Sequence, residues 1–286
     1  MVQTVCICGA GTMGTGIART MAQGGFYTLL CDLNPAVLSR ARETIREDLE
    51  ALFAKKKMTA AEKEGILRRI AFTGTLHDCL ADIIIEAIIE KEEAKVALFN
   101  QLAEINHRET VLATNTSSLS VTGIAARVVN PQRVIGMHFF NPATRMKLVE
   151  VITTQFTDRQ TTGLVVSLSK DIGKTAVLCM DSPGFIVNRV ARPYYLESLR
   201  LAEESGIPFE TIDALLEATG FRMGPFRLMD LIGNDINYAV SQSIYGQMNK
   251  PLRLKPSALQ KEKVDRNELG IKTGKGYYDY RDPAGH

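Results

Sequence analysis

The chain has 286 residues, enough for two domains with a sizeable core. Its 45% hydrophobic and 23% charged residues suit a folded cytosolic protein, and a net charge of +2 excludes nucleic-acid binding through bulk charge. No apolar run approaches the roughly 20 residues of a membrane span, and Val5 enters a strand without a basic, cleavable leader, so a cytoplasmic protein with no membrane partner is expected.

The first half alternates between strand and helix patterns. Val5–Cys8 is a short apolar run that ends in glycines. Thr12–Gln23 predicts a helix stopped by Gly24 and Gly25, and Tyr27–Cys31 a second strand. Apolar residues at helical spacing, among them Val37, Leu38, Ala41, Ile45 and Leu49, extend a helix from Pro35 to about Phe53. Lys55–Lys57 closes it with positive charge. Thr59 and Glu62 form a capping-box pattern, so a second helix starts there and completes a helical hairpin. Ile83–Ile85 reads as a strand buried on both faces, followed by a helix through Ala94, Leu98 and Leu102. Val111–Thr114, Val134–Met137 and Leu148–Ile152 are further strands. This alternation predicts an α/β fold with a doubly wound parallel sheet over residues 1–182. Beyond Ser182-Pro183-Gly184 the patterns are helical: Phe185–Glu204, Phe209–Thr219 and Asn234–Met248. Residues 183–286 are therefore expected to form an all-helical second domain.

The five cysteines, Cys6, Cys8, Cys31, Cys79 and Cys179, include no Cys-x-x-Cys pair. They read as reduced, mostly buried thiols, and no metal is expected.

Gly9-Ala10-Gly11-Thr12-Met13-Gly14 is a G-x-G-x-x-G run in the required setting, with a strand before it and a helix after it. The three glycines allow a tight turn, close approach of a pyrophosphate, and close helix–strand packing. Phosphates then sit at a helix N-terminus. Asp32 ends the second strand 18 residues after Gly14, where an acid can accept ribose hydroxyls and repel a 2′-phosphate. The next residues are Leu33 and Asn34, not arginine, so NAD is expected rather than NADP.

Of the four histidines, His138 stands at the end of a strand and begins His-Phe-Phe-Asn-Pro. An imidazole there suits proton transfer from an alcohol, because ligands of open α/β sheets bind beyond the strands' carboxyl ends. Glu150, in an otherwise apolar strand, would be costly unless paired, and His138 is a candidate partner. A satisfied core histidine and an edge-strand glutamate form the competing reading. Asn115-Thr116-Ser117-Ser118 follows another strand end, either as polar groups near a cofactor or as an N-cap. Asn188 lies one turn into the helix after Pro183-Gly184, and could hold a substrate carbonyl or simply be exposed.

Together these segments resemble the 3-hydroxyacyl-CoA dehydrogenase family, including the 3-hydroxybutyryl-CoA dehydrogenases. The landmarks are residues 9–14, Glu-Ala-Ile-Ile-Glu at 86–90, Asn-Thr-Ser-Ser-Leu at 115–119 and His-Phe-Phe-Asn-Pro at 138–142. Pro-Gly-Phe-Ile-Val-Asn-Arg at 183–189, Met-Gly-Pro-Phe at 223–226 and Lys-Thr-Gly-Lys-Gly-Tyr-Tyr at 272–278 continue the series in order. The resemblance implies NAD-dependent, reversible oxidation of a (S)-3-hydroxyacyl-CoA to a 3-oxoacyl-CoA. It implies that His138 is the general base, oriented by Glu150, and that Ser117 and Asn188 bond the reacting end. It places Asn141 near the thioester, and Glu90, Lys95, Asn115, Ser117 and Lys272 near NAD. Lys56 would meet the coenzyme A nucleotide; a solvated helix end is the competing reading of the three lysines. The helical domain would form a homodimer. Tyr277 stands where phenylalanine is usual, and the stretch from Gln247 to Ser257 is short and basic. Two alternatives remain: a 3-hydroxyacid or 6-phosphogluconate-type dehydrogenase, which would use a lysine base, and a catalytically silent NAD-binding scaffold.

Overall fold

Runs of β-branched residues too continuous for one-sided burial become the inner strands of a single sheet. The computed structural model describes residues 2–281. By internal packing the chain divides into two units, one ending at Ser182 and the other beginning at Pro183.

The first unit is an eight-stranded sheet built from β1 (Thr4–Cys8), β2 (Tyr27–Cys31), β3 (Ile70–Thr73), β4 (Ile83–Glu86), β5 (Val111–Thr114), β6 (Val134–Phe139), β7 (Leu148–Thr153) and β8 (Thr175–Met180). Their spatial order is β3-β2-β1-β4-β5-β6-β7-β8. Ile83, Ile84 and Ile85 are fully buried, as a strand covered on both faces requires. The order reverses at β1, which pairs in parallel with both β2 and β4. That reversal opens the crevice in which doubly wound sheets bind ligands.

The covering helices are α1 (Thr12–Gln23), α2 (Pro35–Ala54), α3 (Ala60–Arg68), α4 (Glu92–Ile105), α5 (Val121–Ala125) and α6 (Arg159–Asp171). Asn34 caps α2 by accepting from Ala36 N, with a proline in the first turn. Thr59 and Glu62 form the expected capping box, so α2 and α3 make the hairpin.

The sheet departs from the expected all-parallel pattern in one place. β6 and β7 are antiparallel, and β6 runs two residues beyond Met137, so His138 lies inside the ladder. β3, β8 and α6 were not legible from the sequence. β3 and β8 are the edge strands; Leu178 and Met180 of β8 are exposed, which breaks the burial pattern that marks an inner strand.

The second unit consists of α7 (Val187–Ser205), α8 (Phe209–Ala218), α9 (Pro225–Ile232), α10 (Asn234–Gln247) and α11 (Ala258–Asp265), joined by turns. α7 starts two residues later than the pattern suggested, because Gly184 and Phe185 both take positive φ, 73° and 50°. Leu196, Leu199, Phe226 and Met229 form its core with Tyr277 and Tyr278 from the final segment. Two buried carboxylates hold that segment. Asp230 accepts from Tyr277 N and Tyr278 N at 3.0 Å each and from the Tyr280 hydroxyl at 3.1 Å. Asp213 accepts from the Tyr278 hydroxyl at 2.7 Å and from Phe226 N and Arg227 N at the start of α9. Burial pushes the Asp230 carboxyl up, against the hydrogen bonds that favour its charge.

Candidate active site

The loop after β1 shows a separate reason for each glycine. Gly9 takes φ 102° and donates its N–H to Cys31 O at 2.8 Å. A Cβ there would lie 2.6 Å from Ala87 O, and a Cβ on Gly14 would lie 1.7 Å from Gly9 O. A Cβ on Gly11 would meet nothing within 4 Å. The outer two glycines therefore close the turn, and the middle one borders open space at the start of α1. The first turn of α1 carries no acidic residue, so the positive end of the helix faces that space uncompensated by a side chain. Ala10, Gly11 and Thr12 line a cleft of about 390 Å³ together with Asn141 and Thr144.

Asp32 is fixed beside this loop. Its Oδ2 accepts from Ala10 N at 2.9 Å and its Oδ1 from Asn34 N at 2.9 Å. The same backbone turn thus holds a carboxylate beside the start of α1.

Beyond β4 and β5 lies a charged cluster. Lys95, 1% exposed, donates to Glu86 Oε1 at 2.6 Å and pairs with Glu90 Oε2 at 3.1 Å. Glu86 also accepts from Thr114 Oγ1 at 2.8 Å and Ile88 N at 2.8 Å. Burial raises the Glu86 carboxyl, and Lys95 and these hydrogen bonds oppose the rise without cancelling it. Burial also acts to raise Glu90, but there Lys95 and the bonds from Thr116 and Ser117 win, and the carboxyl is held below its ordinary value. Lys95 lies beneath the surface and braces Glu90, which is partly exposed. Glu86 was seen only as part of a motif; its role as counter-ion depends on a contact the sequence does not display.

The run 115–118 is a turn gathered on Glu90 and not an N-cap. Thr116 Oγ1 donates to Glu90, as does Ser117 N at 3.1 Å, whereas α5 is capped by Ser120, which accepts from Gly123 N at 3.0 Å. Asn115 Oδ1 accepts from Phe139 N at 2.8 Å and ties the end of β5 to β6.

His138 and Glu150 face each other. They are register partners across β6 and β7, which puts both side chains on one face of the sheet. His138 Nδ1 and Glu150 Oε2 are 2.8 Å apart; Glu150 is fully buried and His138 nearly so. Phe140 packs against the imidazole at a ring separation of 4.5 Å. The segment after β6 is held by Lys174, whose Nζ donates to Ala143 O at 2.5 Å and Met146 O at 2.7 Å. Desolvation lowers the Lys174 ammonium. Nothing in its sequence neighbourhood marks this lysine as a clamp.

Of the remaining candidates, Lys56 belongs to the first unit and Asn188 and Lys272 to the second. Lys56 lies at the exposed bend of the α2–α3 hairpin with φ 54°. Asn188 is in the first turn of α7, its carbonyl accepting from Arg192 Nε at 3.0 Å. Lys272 pairs with both carboxylate oxygens of Asp235, at 2.5 and 2.7 Å. No described helix is long and apolar enough to cross a membrane.

Comparison with known proteins covers almost the whole chain. Residues 4–182 match the model for the 3-hydroxyacyl-CoA dehydrogenase NAD binding domain, and residues 184–280 the model for the C-terminal domain of that family. The 3-hydroxyadipyl-CoA dehydrogenase of Escherichia coli K12 is 46% identical over 98% of this chain, which spans 59% of that protein's length. A probable 3-hydroxybutyryl-CoA dehydrogenase of Bacillus subtilis is 38% identical, with 98% of each chain covered. Among solved structures, (S)-3-hydroxybutyryl-CoA dehydrogenase of Ralstonia eutropha superposes with a TM-score of 0.94 at 37% identity, covering 99% of this chain and 100% of that one.

Proposed function

Because the chain belongs to the 3-hydroxyacyl-CoA dehydrogenase family, we propose that it oxidises a (S)-3-hydroxyacyl-CoA reversibly to the 3-oxoacyl-CoA with NAD. The observation that carries this reading is the 2.8 Å contact between His138 Nδ1 and Glu150 in the sheet that also bears the glycine loop. NAD fits the first unit: Gly11 borders open space at the start of α1, and Asp32, bonded to Ala10 N beside it, is assigned to the ribose hydroxyls. When bound, NAD supplies the hydride acceptor.

The chain's own residues handle the proton. With Nδ1 engaged by Glu150, Nε2 of His138 is the nitrogen assigned to the substrate hydroxyl. The Glu150 carboxylate stabilises the imidazolium once the proton has moved. Ser117 and Asn188 are assigned to the substrate oxygen, where a donor stabilises developing negative charge. Asn141 is assigned to the thioester, Glu90, Lys95, Asn115, Ser117 and Lys272 to NAD, and Lys56 to the phosphates of coenzyme A. We assign the protein to the cytoplasm, as its unpaired cysteines suit a reducing compartment. We assign a homodimer to the helical unit, which exposes Val190, Leu215, Phe221 and Leu231.

The test is turnover of acetoacetyl-CoA with NADH. His138→Ala should keep NADH affinity while kcat falls by about 10²–10⁴, the usual contribution of a positioned acid–base group. Unaltered turnover in that variant would remove His138 from the mechanism. A wild-type protein that binds NADH but reduces no 3-oxoacyl-CoA would be a nucleotide-binding scaffold instead.

A further inference from the structure

Four of the chain's five cysteines converge on one place. Cys6 and Cys8 are alternate residues of β1 and so share a face, opposite to the one from which Val5 and Ile7 join the core with α1. Cys31 is the register partner of Cys8 on β2. Cys79 arrives from the segment that crosses between β3 and β4, just after a single 3₁₀ turn. All four are buried and none is in a disulfide. The sulfurs of Cys6, Cys8 and Cys79 lie within 4.8 Å of one another, and Cys6 Sγ and Cys8 Sγ are 3.9 Å apart. Cys31 Sγ and Cys79 Sγ both point at Thr75 O, at 3.9 and 3.7 Å.

We propose that Cys6, Cys8 and Cys79, with Cys31 beside them, bind one thiophilic d¹⁰ metal ion such as zinc, cadmium or copper(I).

Geometry favours a metal over the other uses of such a cluster. Around zinc, bonds of about 2.3 Å at tetrahedral angles set neighbouring sulfurs about 3.8 Å apart, so the three thiols need only a small contraction. A disulfide suits them less. Cys6 and Cys8 are two positions apart on one strand, roughly 6.6 Å between Cα atoms, at the far limit for such a bond. Soft thiolate sets select zinc and copper(I) over oxygen-loving cations. Binding needs no oxidant: each thiol that ligates releases its proton to solvent, and the sulfur lone pair forms the metal bond. The sequence hides the site because Cys79 joins Cys6 and Cys8 of β1 from the distant segment before β4, a pairing that no local spacing displays.

The site has a consequence for the nucleotide. Cys8 directly precedes Gly9, Cys31 directly precedes Asp32, and Gly9 N is bonded to Cys31 O. Drawing the sulfurs together pulls on the turn that carries both nucleotide determinants. Metal occupancy should therefore weaken NADH binding, on the order of tenfold, within the usual range of coupling between two sites. This second part rests on the proposed NAD site; metal binding itself does not.

The experiment is an anaerobic titration of the full chain with cadmium, followed by sulfur-to-metal charge-transfer absorption and native mass spectrometry. One ion per folded chain is expected, with the band lost in Cys79→Ser and kept in Cys179→Ser, whose thiol is outside the cluster. NADH affinity, read by fluorescence, should fall with cadmium in the wild type and not in Cys79→Ser. Where a cluster variant does not fold, cadmium should still slow alkylation of the buried Cys79 of the wild type in mild denaturant, where transient opening exposes it, located by peptide mass spectrometry. No uptake by the folded wild type, a band that survives Cys79→Ser, or no protection of Cys79 would each overturn the site. Failure of NADH to bind with or without metal would overturn the nucleotide reading and leave the metal result to stand on its own.

Discussion

Replacing Glu150 with glutamine separates charge from shape. Glutamine has nearly the same size and keeps a carbonyl oxygen to accept from His138 Nδ1, so the register of β6 and β7 and the ring orientation should survive. What is lost is the negative charge 2.8 Å from the imidazole, in a site where Glu150 is fully buried. That distance is in the range of charge-assisted hydrogen bonds, and such bonds contribute about 1.5–3 kcal/mol. If the charge acts only once His138 carries the proton, the loss falls on the transition state. At 1.36 kcal/mol for each factor of ten, kcat should drop by about 10–150-fold. KM for acetoacetyl-CoA and Kd for NADH should barely move, because neither ligand is assigned to Glu150. Glutamine fills the same volume and still accepts from His138, so no cavity opens and the melting temperature should change little. The assay is steady-state NADH oxidation alongside a thermal melt. A wild-type kcat, or a fall in rate matched by a fall in melting temperature, would refute the reasoning.

The glycine loop can be tested by contrast: Gly14→Ala should destabilise the fold by about 1–3 kcal/mol through its clash with Gly9 O. Gly11→Ala should leave stability within about 0.5 kcal/mol of wild type, yet weaken NADH binding sharply by filling the open space. Glu90 is held below the ordinary carboxylate range, so its stabilisation is complete above the unfolded value of about 4.3 and fades as pH falls through the lower, folded value. Glu90→Gln should therefore flatten the acid side of the stability–pH curve measured by denaturant titration, and an unchanged curve would count against the Lys95–Glu90 pair. Lys56→Ala should raise KM for acetoacetyl-CoA severalfold at most, less at high salt, and not at all for a pantetheine thioester lacking the phosphates; an equal penalty on both substrates would return Lys56 to the role of a solvated helix end.

What the sequence revealed followed how local each signal was. The Gly9–Gly14 loop, the Thr59–Glu62 capping box and the triple isoleucine of β4 are short-range patterns, and each folds as read. The His138–Glu150 pair was only a candidate, because its geometry comes from antiparallel pairing of β6 with β7, a long-range fact with no local mark. The edge strands β3 and β8 escaped because Ile-Ala-Phe-Thr and Thr-Ala-Val-Leu-Cys-Met are apolar runs too short for periodicity to separate a strand from a buried helix segment. The burial of Lys95 between Glu86 and Glu90 is a tertiary property, and a lysine within a helical pattern looks the same exposed or sealed. Gly184 and Phe185, both in left-handed conformations, delayed the start of α7 in a stretch whose periodicity was already helical.

The two carboxylates under the final tyrosines set an order of events during synthesis. Asp213 and Asp230 are made well before residues 277–280, which supply the Tyr277 and Tyr278 amides and the Tyr278 and Tyr280 hydroxyls that accompany them into the interior. Until that stretch leaves the ribosome, α8 and α9 can form but cannot seal these charges away from water without stranding them. The sheet unit, complete at Ser182, has no such dependence. A nascent chain should therefore carry a finished nucleotide-binding sheet while its helical unit is still open, and the aromatic tail should act as the closing step. Stalled chains that stop short of Tyr277 should be protease-resistant in the first unit and cleaved readily in the second.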